Sequence, residues 1–546
     1  MPICYGMVHT APSSKYTPYA LRSFFQYTEL KPGDDLFLID NDGSLEPGST
    51  ASQQLSLLVN AAPKSFAQNI NQIMVKAGES KADLVFLNND IIFTPNWLAP
   101  LLTGLPIITN SISNQHARYS AASWKLEPAM DLEEYLGHEH DLLQIAATHA
   151  ASKHGLRQVL TCPFFCVCIP YQVYSELGAF DESFGKGGAE DRDYSLRAYL
   201  RGFGVFLALD SFVLHFMGKS TWRGAESAGE TEQRNRQYIE RFQEKWGERL
   251  TKIAVLNDQI ALSELAAQHP QQLKIGAFAP IIQKISAKEN KAIAEGWRPK
   301  VGAVCVIYDD TRWLRQVIEA AYPYCDSFIF LVSNKPWNGE VFDNSSTLGL
   351  LESLPDLDGK IEVIRGGWST ETEQRNEGLE ILNQRGIDYC LILDADEIYD
   401  TKQLAALLEL AASKRYVQAW RINLITYWKS PDYRIDPPES FQPVVLAKVG
   451  EATFVDKREI SPAFSLSVPR EICVCHHLSY ARSDEEVKRK ISSFSHSHQL
   501  VDGWYEKVWL GWDENHGLED LHPCWPTAYK RAVRQPPDSL PAVLRK

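Results

Sequence analysis

Acidic side chains follow an apolar stretch at two places in this chain of 546 residues. Asp90 comes just after DLVFLNN, and Asp394, Asp396 and Glu397 come directly after DYCLIL. Each stretch reads as a buried strand, and ligands of open α/β sheets bind at the carboxyl ends of strands. Carboxylate oxygens suit Mg²⁺ or Mn²⁺, and carboxylates side by side repel one another unless a cation compensates. The pattern therefore predicts a ligand-binding position at each strand end, with a compensating cation at the cluster of three carboxylates.

Strands and helices alternate in the segment that must position Asp90. Strands are predicted at 3–8, in the stretch that ends at Asp40, at 55–59 and up to Leu87, with helices at 19–27 and 65–76. Such alternation indicates βαβ units and a mainly parallel sheet.

The second half repeats this plan after a period of about 300 residues, which indicates tandem domains rather than a solenoid. Strands are predicted at 301–308, at 327–333, from 361 and up to 393, with helices at 312–321 and 370–383. Asn69 precedes Asp90 by about the same distance as Asn376 precedes Asp396. We predict two Rossmann-like α/β domains with flanking helices, at 1–260 and 299–546, the second with a C-terminal extension. A partly helical connector, rich in Ala, Gln, Lys and Glu, is predicted at 261–298.

Composition narrows the classes of protein. A formal net charge of −14 argues against a nucleic-acid-binding protein, which normally presents a basic face. The sequence lacks a secretory signal pattern and an apolar stretch of the roughly 18–20 residues that a membrane span needs. Ten thinly spread cysteines suggest reduced thiols, so the expected compartment is the cytoplasm. The basic, proline-bearing C-terminal end is expected to be a solvated tail, with a peripheral contact to an anionic membrane as the alternative.

One cluster of residues leaves a structural zinc site open as a minor alternative. Its members are Cys473, Cys475, His476, His477, His522 and Cys524. A C-x-C pair on a strand points both side chains to one face and lacks the usual C-x-x-C spacing, which argues against zinc.

The first half contains the block GAFDESFGKGGAEDRDYSLRAYLRGFGV, followed by LDSFVLHFMGKST. With LIDND and LNNDIIFTPNWL upstream, in this order, nearly the whole first module resembles family-2 glycosyltransferases of the GT-A fold. The resemblance implies that a nucleotide-diphosphate sugar is the donor and that a glycan or glycoconjugate hydroxyl is the acceptor. It also implies Mn²⁺ or Mg²⁺ as cofactor, inversion at the anomeric carbon and a role in surface-polysaccharide biosynthesis.

The same resemblance implies roles for residues of the first module. An attacking hydroxyl must lose its proton, and the family's E-D pair supplies a base as Asp191, with Glu190 positioning the acceptor; the two roles are interchangeable. Asp90 is the expected metal ligand, joined by His215 as a metal or phosphate ligand. The expected nucleotide- and diphosphate-binding residues are Asp40, Asn69, Asn88, Lys219 and Ser220. Asn88 replaces the first aspartate of the D-x-D motif, and Asp40 has capping of the next turn as its alternative.

The second module resembles another branch of the family through TEQRNEGL, LILDADEIYD and CHHLSYARSDEEVKRKISSFSH. This implies that Asp396 binds the cation directly and that Asp394 orients the ribose or the metal shell. Arg375 and Asn376 are expected near the nucleotide, and His476 or His477 is the expected metal ligand. Trp428 and Tyr433 are either an acceptor wall or buried packing.

Two departures from the family pattern affect the second module. Its second strand ends LVSN rather than with an aspartate, and it lacks an E-D block. Asp456 and Glu459 are the remaining candidates for a base. Three hypotheses stay open at this point: a bifunctional transferase, a transferase with one non-catalytic glycan-binding module, and a nucleotidyltransferase. The last would require a glycine-rich phosphate loop near a first strand, which neither half supplies.

Overall fold

A computed structural model describes residues 1–46, 55–116, 120–121, 124–219, 226–286, 298–451, 453–461, 463–493, 496–515, 517–536 and 539–545. Ser220, predicted to contact the diphosphate, lies outside these ranges. The chain divides into two compact units. The first comprises Met1–Trp297 and Ser413–Tyr416, and the second comprises Arg298–Ala412 and Val417–Lys546.

The first unit alternates strands and helices as its sequence predicts. Its strands are β1 Ile3–His9, β2 Asp35–Asp40, β3 Ser56–Val59, β4 Asp83–Asn88, β5 Ile91–Phe93, β6 Ile107–Ser113, β7 Ser120–Ala121, β8 Trp124–Lys125, β9 Leu156–Gln158, β10 Cys166–Ile169 and β11 Gly204–His215. Its helices are α1 Thr17–Tyr27, α2 Phe66–Glu79, α3 Leu132–Tyr135, α4 Glu139–Ser152, α5 Tyr171–Leu177, α6 Glu190–Leu200, α7 Ala228–Trp246, α8 Glu248–Ala254, α9 Gln259–Gln268, α10 Pro270–Lys274 and α11 Phe278–Ile285.

The main sheet of the first unit has the strand order β3-β2-β1-β4-β10-β6-β11-β5, with β9 paired to β11. The strands β3, β2, β1 and β4 are parallel, β10 is antiparallel to both β4 and β6, and β11 is parallel to β6. The direction of the sheet therefore changes between β4 and β10. Residues that follow β4 lie at this change of direction, which is a common place for a ligand.

Local sequence explains where the helix before β4 begins. The side chain of Ser65 accepts a hydrogen bond from the amide of Gln68, and the side-chain oxygen of Gln68 accepts one from the amide of Ser65. Such a capping box satisfies amides that the first helical turn leaves unpaired. Ile70 and Ile73 of this helix are fully buried, so α2 covers one face of β1 and β4.

The helices of the predicted connector pack on the first unit. Phe278 and Ile282 of α11 belong to the same apolar core as the sheet, and α11 contacts α6. Residues 259–285 are therefore an integral part of the first unit.

The second unit repeats the α/β arrangement. Its strands are β12 Val301–Ile307, β13 Ser327–Ser333, β14 Ile361–Gly366, β15 Tyr389–Leu393, β16 Glu397–Ile398, β17 Ala419–Arg421, β18 Leu424–Trp428, β19 Ser430–Asp436, β20 Val444–Lys448, β21 Thr453–Asp456, β22 Glu459–Ser461, β23 Ser465–Ser467, β24 Cys475–Tyr480 and β25 Arg531–Arg534. Its helices are α12 Leu314–Ala321, α13 Ser345–Glu352, α14 Glu371–Gln384, α15 Thr401–Ala412 and α16 Asp484–Ser493.

Seven strands of the first main sheet, β3 to β11 in its order, have the same topology as the main sheet of the second unit. In the second, the order is β14-β13-β12-β15-β20-β17-β23, and β20 is the antiparallel strand beside β15. A smaller sheet with the order β16-β24-β18-β19-β25 adjoins the end of β15. The predicted α/β class with mainly parallel sheets is confirmed in both units.

The two units differ in the segment that connects the antiparallel strand of the sheet to the last core strand in the sequence. In the first unit, α5 and α6 connect β10 to β11. In the second, the short hairpin of β21 and β22 connects β20 to β23. The hairpin occupies the place of the helix that carries Glu190 and Asp191, which explains why the second half lacks an E-D block.

No helix among the described residues is both long enough and apolar enough to cross a bilayer.

Candidate active sites

Asp90 and His215 meet at the end of β4 in the first unit. β5 pairs antiparallel with the end of β11, and this register places His215 opposite Ile91, the residue after Asp90. The two side chains are buried, with Asp90 Oδ1 3.4 Å from His215 Nε2. Neither of these two atoms has a hydrogen-bond partner among the described residues. Because buried polar atoms are nearly always bonded, the pair indicates a place for a ligand.

The surroundings of this pair fix its geometry. The other carboxylate oxygen of Asp90 accepts the amide of Lys219 at 2.9 Å. The His215 ring stacks on Phe165 with centroids 4.6 Å apart, and its Nδ1 lies 3.2 Å from Gln115 Nε2. Burial opposes ionisation of Asp90, yet the adjacent His215 and the Lys219 amide hold the pKa of Asp90 below its ordinary value. An ionised carboxylate oxygen and a neighbouring imidazole nitrogen can together ligate a divalent cation.

The pair fits a cation that also binds a phosphate ligand. Among the described residues, no group of three or more His, Cys, Asp or Glu side chains is arranged to hold a metal. Mg²⁺ commonly takes one or two protein ligands and completes its shell with water and substrate phosphates. Asp90 and His215 would therefore be the two metal ligands that the protein contributes to such a site.

A cavity of about 380 Å³ opens beside this pair. Its lining includes Asn88, Glu190, Asp191, Arg192, His215 and Arg234. The predicted metal ligand His215 and the predicted catalytic pair therefore border one cavity.

Glu190 and Asp191 begin helix α6 in different environments. Glu190 is 5% exposed, and its Oε2 accepts the amide of Gly188. Burial, reinforced by the charge of Asp191, raises the pKa of Glu190 to about 7. Asp191 accepts the amide of Phe164 at 3.3 Å and forms an ion pair with Arg192. A carboxyl group with a raised pKa beside a second, ion-paired carboxylate in one cavity is a pattern suited to acid and base roles.

The structure favours the capping alternative for Asp40 and corrects the prediction for Asn69. The Asp40 carboxylate accepts the amides of Gly43, Ser44 and Leu45, so it holds the loop after β2. The Asn69 amide group bonds Asn41 and Asn60 beside it, and neither Asp40 nor Asn69 lines the cavity. These polar groups are already satisfied, which is the physical reason that they are unavailable to a nucleotide.

Lys219 contributes through its backbone. Its amide donates to Asp90, and its ammonium group pairs with Asp131. A role of the Lys219 side chain in diphosphate binding stays a prediction.

In the second unit, the carboxylates after β15 line a cavity of about 420 Å³. Asp394 is bonded to Arg375 at 2.7 Å and to Arg458 at 3.0 Å, and Arg458 also reaches Glu397 at 3.0 Å. Burial opposes ionisation of Asp394, but the two guanidinium groups hold its pKa below the ordinary value. Arg375 thus lies in the predicted site as an ion-pair partner of Asp394.

Asp396 is paired with two further cations. Its Oδ2 lies 3.0 Å from Arg482 Nη2 and is also in contact with Lys490 Nζ. Arg482 in turn binds both oxygens of Asp310, at 2.9 and 2.6 Å. Burial would raise the pKa of Asp396, yet Lys490 and Arg482 hold it far below the ordinary range.

The two adjacent histidines of β24 point to opposite faces of the strand, as neighbouring residues must. His477 lies opposite Glu397, the residue after Asp396, and it lines the cavity. The His476 ring is buried, with Nδ1 2.6 Å from the hydroxyl of Tyr427. The structure therefore corrects the prediction for His476 and identifies His477 as the counterpart of His215.

Other predicted residues of the second unit lie outside its cavity. Both ends of the Asn376 amide bond the backbone of Phe454, which corrects the prediction that Asn376 approaches the nucleotide. Asp456 is exposed and Glu459 pairs with Arg421, so neither lines the cavity. Trp428 is fully buried among aromatic rings, which favours the packing interpretation.

Several basic side chains that line these cavities or contact their carboxylates were not predicted from the sequence. They are Arg192, Arg234, Arg458, Arg482, Arg489 and Lys490. Lys490 could have been predicted from its helical spacing. Glu486, Lys490 and Ser493 lie on one face of α16, and all three line the cavity.

Comparisons with known proteins identify the class of the second unit. Residues 308–446 match the model of the family described as glycosyl transferase family 2. This segment runs from β12 to β20 and contains Asp394 and Asp396. The second unit therefore carries a family-2 glycosyltransferase domain, and the predicted family is confirmed for this part of the chain. No curated protein matches the chain.

The solved structures to which the chain is similar include two glycosyltransferases. One is the crystal structure of GalNAc-T7 with UDP, GalNAc and Mn²⁺, with 15% identity, a TM-score of 0.28, and coverage of 39% of this chain and 42% of that one. The other is the mannosyltransferase PcManGT from Pyrobaculum calidifontis in complex with GDP-Man and Mn²⁺, with 11% identity, a TM-score of 0.29, and coverage of 54% and 83%. The chain thus spans less than half the length of the first, and nothing further follows from TM-scores this low.

Proposed function

We propose that the chain transfers a sugar from a nucleotide-diphosphate sugar to a hydroxyl group of a glycan or glycoconjugate, with one donor site in each unit. One observation carries this proposal. In each unit a histidine lies opposite the residue that follows a strand-end aspartate, His215 for Asp90 and His477 for Asp396, beside a cavity. The family match of the second unit and the shared sheet topology support the extension to the first.

In the first unit, the cavity provides the groups that a displacement at the anomeric carbon requires. The acceptor oxygen forms a bond to that carbon while its proton passes to the Asp191 carboxylate. The bond from the carbon to the phosphate oxygen breaks, and the nucleoside diphosphate leaves with the electron pair. A single displacement of this kind inverts the anomeric configuration. Burial and the charge of Asp191 raise the pKa of Glu190, so that in its protonated form its carboxyl group would donate a hydrogen bond to the acceptor oxygen.

Asp90 and His215 are the residues that would hold Mn²⁺ or Mg²⁺ in the first unit. A bound cation would neutralise the negative charge that develops on the leaving diphosphate. The stacking of His215 on Phe165 keeps the imidazole in place, so little reorganisation is needed on binding.

A second candidate is a transferase with one catalytic unit. The hairpin of β21 and β22 replaces the helix that carries the E-D pair, and the cavity carboxylates Asp310, Asp394 and Asp396 are all paired with cations. Asp394 and Asp396 are each held by two basic side chains, whereas Asp191 pairs with Arg192 alone, so the second-unit carboxylates are the poorer bases. In this reading the second unit binds a donor or glycan without transferring sugar.

The test compares Asp191→Asn and Asp396→Asn in the full chain, using a pool of nucleotide sugars, Mn²⁺ and glycan acceptors. The Asp191 variant should bind donor normally but lose about 10²-fold or more of first-unit transfer, as expected for loss of a positioned base. Asp210→Asn is the matched control, because that carboxylate pairs with the exposed His154. Mass spectrometry of the products identifies which transfer each variant has lost.

Two products that disappear separately in the two variants would establish two catalytic units. If the Asp396 variant makes every product, the single-site reading is correct. Normal transfer by the Asp191 variant would rule out its role as base. Polysaccharide biosynthesis, the cytoplasmic location and a peripheral membrane contact stay predictions from the sequence.

A further inference from the structure

The position predicted to hold a cation in the second unit is already occupied by basic side chains. Asp396 Oδ2 contacts both Arg482 Nη2, at 3.0 Å, and Lys490 Nζ. Arg482 is itself fixed by Asp310 and by the carbonyl of Ser479, 3.0 Å from its Nε. Asp396 and Arg482 are both about 5% exposed, so this ion cluster is buried.

The equivalent position of the first unit is different. Among the described residues, no Lys or Arg side chain forms an ion pair with Asp90. Asp90 Oδ1 and His215 Nε2 face each other without hydrogen bonds, as a pair that a cation would bridge. The scaffold is the same, because His477 has the strand register of His215.

Helix α16 is the source of the difference. Glu486, Lys490 and Ser493 lie on the face of α16 that lines the second cavity, with Arg489 beside them. Arg482 precedes this helix and lines the same cavity. A divalent cation at Asp396 would meet two positive charges within contact distance of the same carboxylate oxygen, and like charges repel strongly in a buried site. The residues present therefore do not fit a divalent cation at Asp396.

Basic side chains perform the same electrostatic task as a metal. Guanidinium and ammonium groups bind phosphate oxygens through charge-assisted hydrogen bonds, and Arg or Lys clamps stabilise charge that develops on a phosphate leaving group. Among the described residues, Asp396 is the one acceptor found within bonding distance of the Lys490 ammonium, which has three donors. Arg375 also lines the cavity, and its Nη1 has no acceptor among the described residues.

We propose that the second unit binds the diphosphate of its donor through Arg482 and Lys490 without a divalent cation, whereas the first unit uses a cation held by Asp90 and His215. Asp396 is then a positioning residue, which orients the two basic side chains. This inference rests on the proposed function and specifies how each of its two donor sites neutralises the diphosphate.

The first experiment measures binding of inorganic pyrophosphate to the full-length protein in EDTA by titration calorimetry. The wild-type chain should bind pyrophosphate, Lys490→Gln should bind it at least about tenfold more weakly, and Lys490→Arg should restore most of the affinity. Lys488→Gln is the matched control, because Lys488 is exposed on the same helix and lies outside the cavity. Equal affinity of the wild-type and Lys490→Gln proteins would overturn the proposal.

The second experiment uses Asp396→Asn, for which the two mechanisms predict opposite results. If Asp396 positions cations, the variant should still bind pyrophosphate in EDTA, at least as tightly as wild type, because Asp310 continues to hold Arg482. If Asp396 is a metal ligand, the wild-type protein should not bind pyrophosphate in EDTA, and with Mn²⁺ the variant should lose one of two binding steps. The second result would overturn the proposal.

Electron paramagnetic resonance of Mn²⁺ alone then counts the cation sites. Asp90→Asn should lose the bound Mn²⁺, and Asp396→Asn and Lys490→Gln should retain it. Loss of Mn²⁺ from the Asp396 variant would contradict the proposal. Sugar transfer is measured in none of these experiments, so a failure of the proposed function leaves their results interpretable. The Mn²⁺ count shows that the first unit of the Lys490→Gln variant remains folded, and restored affinity in Lys490→Arg controls for the fold of the second.

Discussion

Gly188 packs directly against the ring of Tyr238. A β-carbon built on Gly188 would lie 2.3 Å from Cδ1 of that ring, and the residue has a φ of +134°, which side chains rarely allow. Gly188 also donates its amide to Glu190, and both Gly188 and Tyr238 line the first cavity. The glycine therefore helps to set the position of Glu190 and Asp191, the pair proposed to be catalytic.

Gly188→Ala should displace the start of α6 and reduce first-unit transfer by at least about tenfold, since small misplacements of reacting groups are costly. Gly229→Ala is the control, because a β-carbon there meets no atom within 4 Å. Transfer assays of both variants check this. Unchanged transfer by Gly188→Ala would show that the loop before α6 adapts without moving Glu190 and Asp191.

Glu190 should make the stability of the first unit depend on pH. Its folded-state pKa, about 7, lies above its ordinary value, so its contribution is fully present below pH 4.5 and is lost as pH rises through 7. Over this pH range the wild-type protein should lose on the order of 2 kcal/mol of its free energy of unfolding, and the Glu190→Gln variant should not show this loss. Urea denaturation of both proteins at pH 5.5 and pH 8 measures the difference. Parallel pH profiles would argue against a buried, protonated Glu190.

His215→Ala should weaken the stabilisation of the protein by Mn²⁺. A ligand that binds the folded state raises the unfolding temperature, and loss of one protein ligand should reduce metal affinity by at least about tenfold. His154→Ala is a suitable control, because that imidazole is largely exposed. Thermal unfolding across a Mn²⁺ series checks the expectation. An identical Mn²⁺ response of His215→Ala and wild type would exclude His215 as a ligand.

Arg458→Gln should destabilise the second unit by about 3 kcal/mol or more, because it leaves Glu397 buried without its counter-charge. Part of this loss should be recovered at low pH, where Glu397 becomes neutral. Arg365→Gln, at an exposed position of β14, should change stability by no more than about 0.5 kcal/mol. Urea denaturation at pH 7 and pH 5 provides the measurement. Equal stability of the two variants would show that Arg458 is not needed to offset Glu397.

The parts of the fold that follow from periodic burial could be predicted from sequence. Strands such as Val301–Ile307 are buried along their whole length, and the corresponding apolar stretch is visible in the sequence. The repeat of strand-end carboxylates also predicted the two sites. Equivalent patterns produce equivalent topology because both halves bury their sheets in the same way.

Side-chain partners were harder to predict. Nothing in the local sequence tells whether Asn376 bonds a nucleotide or the backbone of Phe454, which is 78 residues further along the chain. The choice between His476 and His477 depended on the register of β24, and a shift of one residue exchanges the two faces. Pairing of Asp396 with Arg482 and Lys490 depends on the position of α16, which no single motif encodes.

The polypeptide leaves the second unit after Ala412 and re-enters it at Val417, and the four residues between belong to the first unit. The buried Lys414 lies among them, with its ammonium group 3.1 Å from the side-chain oxygen of Gln158. During synthesis, the first unit is therefore incomplete until residue 416 has emerged, although domains commonly fold in order from the N-terminus. A chain cut after residue 297 would lack this segment, so each site is best dissected by point substitution in the intact protein.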